Sequence, residues 1–68
     1  MKVTRVELRT KRKQLGLSQK KLAKKLGVTV QHVSDIEWGI KSPSLELALK
    51  IARTLDNTVE FFFGKQSA

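Results

Sequence analysis

Residues 18–39, SQKKLAKKLGVTVQHVSDIEWG, hold two helical patterns set too close together for either to bury an apolar face alone. The first places Leu22, Ala23 and Leu26 on one side, at offsets of three and four. The second does the same with Val33, Ile36 and Glu37. Between them stand Gly27, Val28 and Thr29: Gly27 can take the positive φ that ends a helix, and Thr29 can cap the next one. Two helices joined by so short a turn cross steeply and must share one core. Whatever the second helix leaves outward then decides what the pair can contact.

The rest of the chain has to complete that core with little material. At 68 residues it is expected to form one domain, 1–68, with a core over about 5–63 and a tail over 64–68. It has no cysteine to cross-link it and no Cys/His cluster for a structural metal, so neither metal nor cofactor is expected. No apolar run approaches the ~20 residues that span a bilayer, and the first residues, MKVTRVELRTKRK, lack the apolar segment of a signal peptide. The expectation is a soluble, cytoplasmic protein that does not engage a membrane.

The net charge of +8 is unevenly spread. Residues 1–25 carry ten Lys or Arg against Glu7 alone, whereas residues 26–68 carry four against five carboxylates. A one-sided basic field suits a polyanionic partner. It also admits the plainer reading of a well-solvated surface.

Residues 1–4 have no cap and read as frayed or extended. A first helix runs from about Arg5 to Leu15 and ends at Gly16, with Leu8, Arg12 and Leu15 on one stripe. An arginine on a core-facing stripe needs a carboxylate, because an unpaired buried charge is costly. Glu37, beside Val33 and Ile36, is the candidate, and an Arg12–Glu37 ion pair would lock the first helix to the third. The alternative is that both heads reach water with only their stems covered. Ser18 caps the second helix, Gln19–Leu26, and Leu17 with Leu22 has the spacing of a hydrophobic staple.

The second helix carries Lys20, Lys21, Lys24 and Lys25 on its outer face, where like charges at i,i+4 repel by a few tenths of a kcal/mol, on the order of 0.2–0.5 each. A negatively charged partner turns that repulsion into attraction. The third helix, Val30 to about Trp38, stops at Gly39. At 100° per residue Gln31, Ser34, Asp35 and Trp38 fall opposite the apolar side, with His32 at the flank. This outward group holds no lysine. Fixed charges on one helix suit gripping a backbone, and short polar groups on the next suit reading edges.

After the loop Ile40-Lys41-Ser42-Pro43, Ser44 caps a fourth helix whose Leu45, Leu47, Ala48, Leu49, Ile51, Ala52 and Leu55 cover more than one face. Thr58 can then cap a final turn, Val59–Phe63, although the β-branched and aromatic run Thr58–Phe63 also reads as a strand that pairs with another chain. In either form its three phenylalanines cannot all point inward, which makes it the candidate oligomer surface.

With these residues laid out, the chain resembles the Cro/CI-type, XRE-like helix-turn-helix DNA-binding domain, the group of the lambdoid phage repressors and many small bacterial regulators. The resemblance runs from about Val6 to Gly64. It rests on Leu22, Ala23, Leu26, Gly27, Val33, Ile36, Glu37 and Gly39 at matching offsets, with Gly16-Leu17-Ser18-Gln19 before them and Pro43-Ser44-Leu45 after. It implies an all-α fold, a compact bundle of five short helices. It also implies a sequence-specific regulator of transcription, a repressor binding a palindromic operator in double-stranded DNA as a homodimer.

Carried over position by position, Val30, Gln31, Ser34 and Asp35 are the base-reading residues. Gln19, Lys20, Lys24, Thr29, His32, Lys41 and Ser42 are the backbone-facing set. Arg12–Glu37 matches a structural pair of the phage repressors, and Val59, Phe61 and Phe62 match their dimer contact. The chain departs from the pattern at Val30, which offers only apolar contact, for instance to a thymine methyl. Asp35 can accept from a cytosine amino group but is repelled by phosphates. Trp38 replaces a small polar or basic residue and either packs on a sugar or covers Ile40.

Other function classes fit poorly. Gly39-Ile40-Lys41-Ser42 lacks the spacing of a phosphate-binding loop, and no Ser/His/Asp set suggests an enzyme. A membrane-surface helix needs an apolar stripe that here goes to the core, and RNA binding favours exposed aromatics, of which Trp38 alone is so placed. The remaining alternative is a DNA-binding antitoxin-like module that also holds a toxin protein through its C-terminal region.

Overall fold

Four of the five helices, all but the first, begin where a short polar side chain can replace the missing backbone acceptor. Ser18, Thr29 and Ser44 accept from the amides of Lys21, His32 and Leu47 at 3.1, 3.1 and 3.2 Å, and Thr58 accepts from Phe61 at 3.1 Å. The computed structural model describes residues 5–63, and the expectations for residues 1–4 and 64–68 lie outside them. The helices are α1 (Val6–Gln14), α2 (Gln19–Leu26), α3 (Val30–Glu37), α4 (Leu45–Thr54) and α5 (Val59–Phe63). The described residues contain no strand. The run Val59–Phe63 is therefore the helical alternative.

The turn between α2 and α3 is built on Gly27, at φ 75°. With Gly27 left-handed, its own amide reaches the Lys24 carbonyl (3.3 Å) and the Val28 amide reaches the Ala23 carbonyl (3.0 Å). This closes the end of α2 in two bonds and drops Val28 against the core. Thr29 then caps α3 at once.

The core gathers Leu8 of α1, Leu22, Ala23 and Leu26 of α2, Val33 and Ile36 of α3, Ile51 and Ala52 of α4, Leu55, and Phe62 of α5. Full burial of each large side chain contributes about 1.5–3 kcal/mol. α2 packs on α3 and α4, while α1 is held against α3 and α5. α3 is thus supported from behind by both neighbours.

Two sequence expectations change here. Leu15 is 44% exposed rather than core-facing. α1 stops at Gln14 and the chain turns at Gly16, so that Leu17 packs against the core in its place. Phe62, expected at a dimer contact, lies in the core at 4% exposure, and Val59 packs partly buried against it. A single turn of helix can send only one side of the Phe run inward. Phe62 takes that side, Phe61 is left 42% exposed, and Phe63 is intermediate.

Candidate nucleic-acid interface

The orientation of α3 is fixed at its C-terminal end. Glu37 is fully buried and accepts from Arg12 Nε at 2.6 Å, from Arg12 Nη2 at 3.3 Å and from Gln19 Nε2 at 3.0 Å. The same guanidinium donates through Nη1 to the Leu17 carbonyl at 2.9 Å. One carboxylate therefore joins α1, the start of α2 and the end of α3. The ion pair read from the α1 stripe is present, and it is buried rather than reaching water.

Arg5 adds a second tie that the sequence did not single out. Its amide donates to the Glu37 carbonyl at 2.9 Å and its Nη1 to the Ile36 carbonyl at 3.0 Å, so it satisfies orphan carbonyls at the end of α3. Its guanidinium also lies 5.0 Å from the centre of the Phe63 ring. Burial lowers the pKa of Arg5 from its ordinary value, and the group stays cationic at neutral pH. An arginine where a capping Ser or Asp is normally sought gives no local signal for this role.

With its inner side held, α3 presents Val30, Gln31 and Ser34 outward: Val30 and Gln31 are exposed and Ser34 half-buried. Asp35 departs from the expected outward position and is only 8% exposed. After Gly39 the loop folds back, and the amides of Ile40 and Lys41 donate to the Asp35 carbonyl at 2.8 and 3.1 Å. The Asp35 carboxylate accepts from Gln31 Nε2 at 2.9 Å and lies 3.9 Å from Lys41 Nζ. A helical wheel of α3 alone cannot foresee a loop closing over one of its sides.

The backbone-facing candidates surround this surface. Lys20, Lys21, Lys24 and Lys25 are exposed along α2, which contains no acidic residue. Thr29 and His32 stand at the start of α3, and Lys41 and Ser42 are exposed in the returning loop. Gln19 is half-buried, with its amide nitrogen turned to Glu37. Trp38, which caps α3, is 46% exposed and Ile40 55%, and the Arg9 guanidinium lies 4.2 Å from the Trp38 ring centre. That contact had no counterpart in the sequence pattern.

Among the described residues no group of three or more His, Cys, Asp or Glu could hold a metal ion, and no helix is long and apolar enough to cross a membrane. The helix-turn-helix family model HTH_3 matches residues 8–62. A protein of Methanothermobacter thermautotrophicus named an uncharacterized HTH-type transcriptional regulator is 51% identical over 51 residues, which cover 75% of this chain and 74% of that one. A protein of the same description from Archaeoglobus fulgidus is 41% identical over 59 residues, covering 87% and 84%. The Bacillus subtilis protein YgzD, also so described, is 46% identical over 52 residues, covering 76% and 79%. No solved structure matches. From the family match over most of its length and from these relatives, the chain belongs to the XRE-like helix-turn-helix family.

Proposed function

We propose that this protein is a repressor that binds a palindromic operator as a homodimer, with α3 in the major groove of each half-site. Family membership carries the coarser statement, a DNA-binding helix-turn-helix transcriptional regulator. The observation that supports the finer reading is the division between α2 and α3. A lysine-covered helix without acids lies beside a lysine-free helix whose exposed side chains are Val30 and Gln31, with Ser34 next to them.

In this reading Val30 meets a thymine methyl, while Gln31 and Ser34 hydrogen-bond base edges. Asp35 acts at the same surface by orienting Gln31 and by repelling phosphates from a misplaced register. Lys20 and Lys24 on α2, with Lys41 and Ser42 in the loop, neutralise and hold the flanking backbone. Thr29 keeps its hydroxyl hydrogen after accepting from His32 and can donate it to a phosphate, and His32 lies beside it. Gln19 keeps one amide hydrogen beyond the one given to Glu37, which suits the same purpose. Dimerisation falls to Phe61, the exposed member of the Phe run, with the edge of Val59 beside it. Two copies with α3 presented symmetrically would read inverted half-sites about one helical turn, roughly 34–36 Å, apart.

Selection from randomised duplex DNA with the purified protein tests this reading. Two inverted half-sites are the expected result, and Gln31→Ala should relax one position in each, costing about 1–3 kcal/mol of discrimination there. A selection that enriches nothing, or an unchanged preference in Gln31→Ala, overturns the assignment of α3.

A further inference from the structure

The contact between Arg9 and Trp38 lies outside every role described so far, and its placement is specific. Trp38 follows Gln31 and Ser34 at offsets of seven and four, and its amide donates to the Ser34 carbonyl at 3.0 Å, so it continues the outward face of α3 by one turn. At 1.5 Å per residue it stands about 10 Å along the axis from Gln31. A recognition helix whose N-terminal residues enter a groove carries its C-terminal end up toward the bordering strand.

Arg9 reaches that spot from α1, with its guanidinium 4.2 Å from the centre of the indole ring. It forms no ion pair with any described residue, whereas Arg12 and Lys41 both face carboxylates. Stacking occupies the face of a guanidinium and leaves its N–H edge to bind in the plane.

Resting on the reading of α3 as the base-contacting helix, we propose that Arg9, stacked on Trp38, is a phosphate-binding residue that grips the DNA strand bordering the α3 groove. Trp38 acts as the platform that holds the guanidinium in place, so the backbone contact at this corner comes from α1 and not from α3 itself. The stack fixes the arginine before binding, which reduces the rotamer freedom lost on contact.

The 68-residue chain tests this on the duplex recovered by selection and on an unrelated duplex, with affinity followed across a sodium chloride series. For Arg9→Gln the slope of log affinity against log salt should fall by about 0.9, with both duplexes weakened alike, about threefold to tenfold. Phosphate ethylation gives the second readout: one bordering phosphate whose ethylation weakens the unmodified protein should cease to matter for Arg9→Gln. Trp38 is the only tryptophan, so its emission should change on DNA binding in the unmodified protein and change less in Arg9→Gln. An Arg9→Gln protein with an unchanged slope and an unchanged ethylation pattern overturns the proposal and leaves the stack as a structural clasp between α1 and α3. If the unmodified protein shows no salt-dependent binding to either duplex, the DNA reading falls first and this proposal with it.

Discussion

Arg12 on α1 and Glu37 at the end of α3 form a buried ion pair 2.6 Å long, with both side chains almost fully withdrawn from water. Gln19 and the Leu17 carbonyl take up further hydrogen-bonding capacity of the two groups. Removing one partner strands the other, so Arg12→Met or Glu37→Met should each destabilise the domain by about 3–5 kcal/mol, whereas the double replacement should recover much of that loss. Urea denaturation of the three variants checks this. A double variant no more stable than either single would show that the pair stabilises by more than mutual compensation.

If Phe61 makes the proposed dimer contact, the Phe run separates folding from assembly. Phe62 sits at 4% exposure in the core and Phe61 at 42% on the surface. Phe62→Ala should lose about 3–5 kcal/mol of stability. On the proposed dimer reading, Phe61→Asp should fold normally, and sedimentation should show a monomer at concentrations where the unmodified protein sediments as twice that mass. An unchanged mass for Phe61→Asp would remove α5 from the dimer contact.

These two cases also show where the sequence was informative. The caps Ser18, Thr29, Ser44 and Thr58 were legible because each acts within three residues of itself. Arg12–Glu37 was legible although its members lie 25 residues apart, because a charge on each of two apolar stripes has few other solutions. The choice between Phe61 and Phe62 depends on how α5 lands on α1 and α4, which periodicity over five residues cannot fix. Asp35, Arg5 and the Arg9–Trp38 stack were hidden for the same reason. Each depends on a loop or helix arriving from elsewhere, with no repeating pattern to announce it.

Asp56 is the one described residue other than glycine with positive φ, at 55°. It closes α4 as Gly27 closes α2: the Asp56 amide donates to Arg53 and the Asn57 amide to Ala52, at 3.2 and 2.8 Å. A side chain in the left-handed region costs roughly 1–2 kcal/mol, and the greater freedom of glycine in the unfolded chain offsets part of its relief. Asp56→Gly should therefore stabilise by about 0.5–1 kcal/mol, a rise of several degrees, about 4–8 °C per kcal/mol, for a domain of this size. Calorimetry checks the sign directly.

On the proposed base-reading role of α3, Asp35 offers a test of how the helix would choose its sequence. Its carboxylate holds the Gln31 amide at 2.9 Å, and the exposed end of Gln31 is the longest polar group on the outward face. Asp35→Ala removes that anchor without touching the outward side chains, so Gln31 regains its rotamers. The expected result is a broader base preference at the position read by Gln31, with affinity for unrelated duplex raised, because a carboxylate close to phosphates has also been lost. Gln31→Ala should broaden the same position without raising the affinity for unrelated DNA. The double variant should add little to the broadening seen in either single, since the two residues act there as one unit. Parallel selections on the three variants distinguish this from independent base contacts, for which the double variant would lose preference at two positions instead of one.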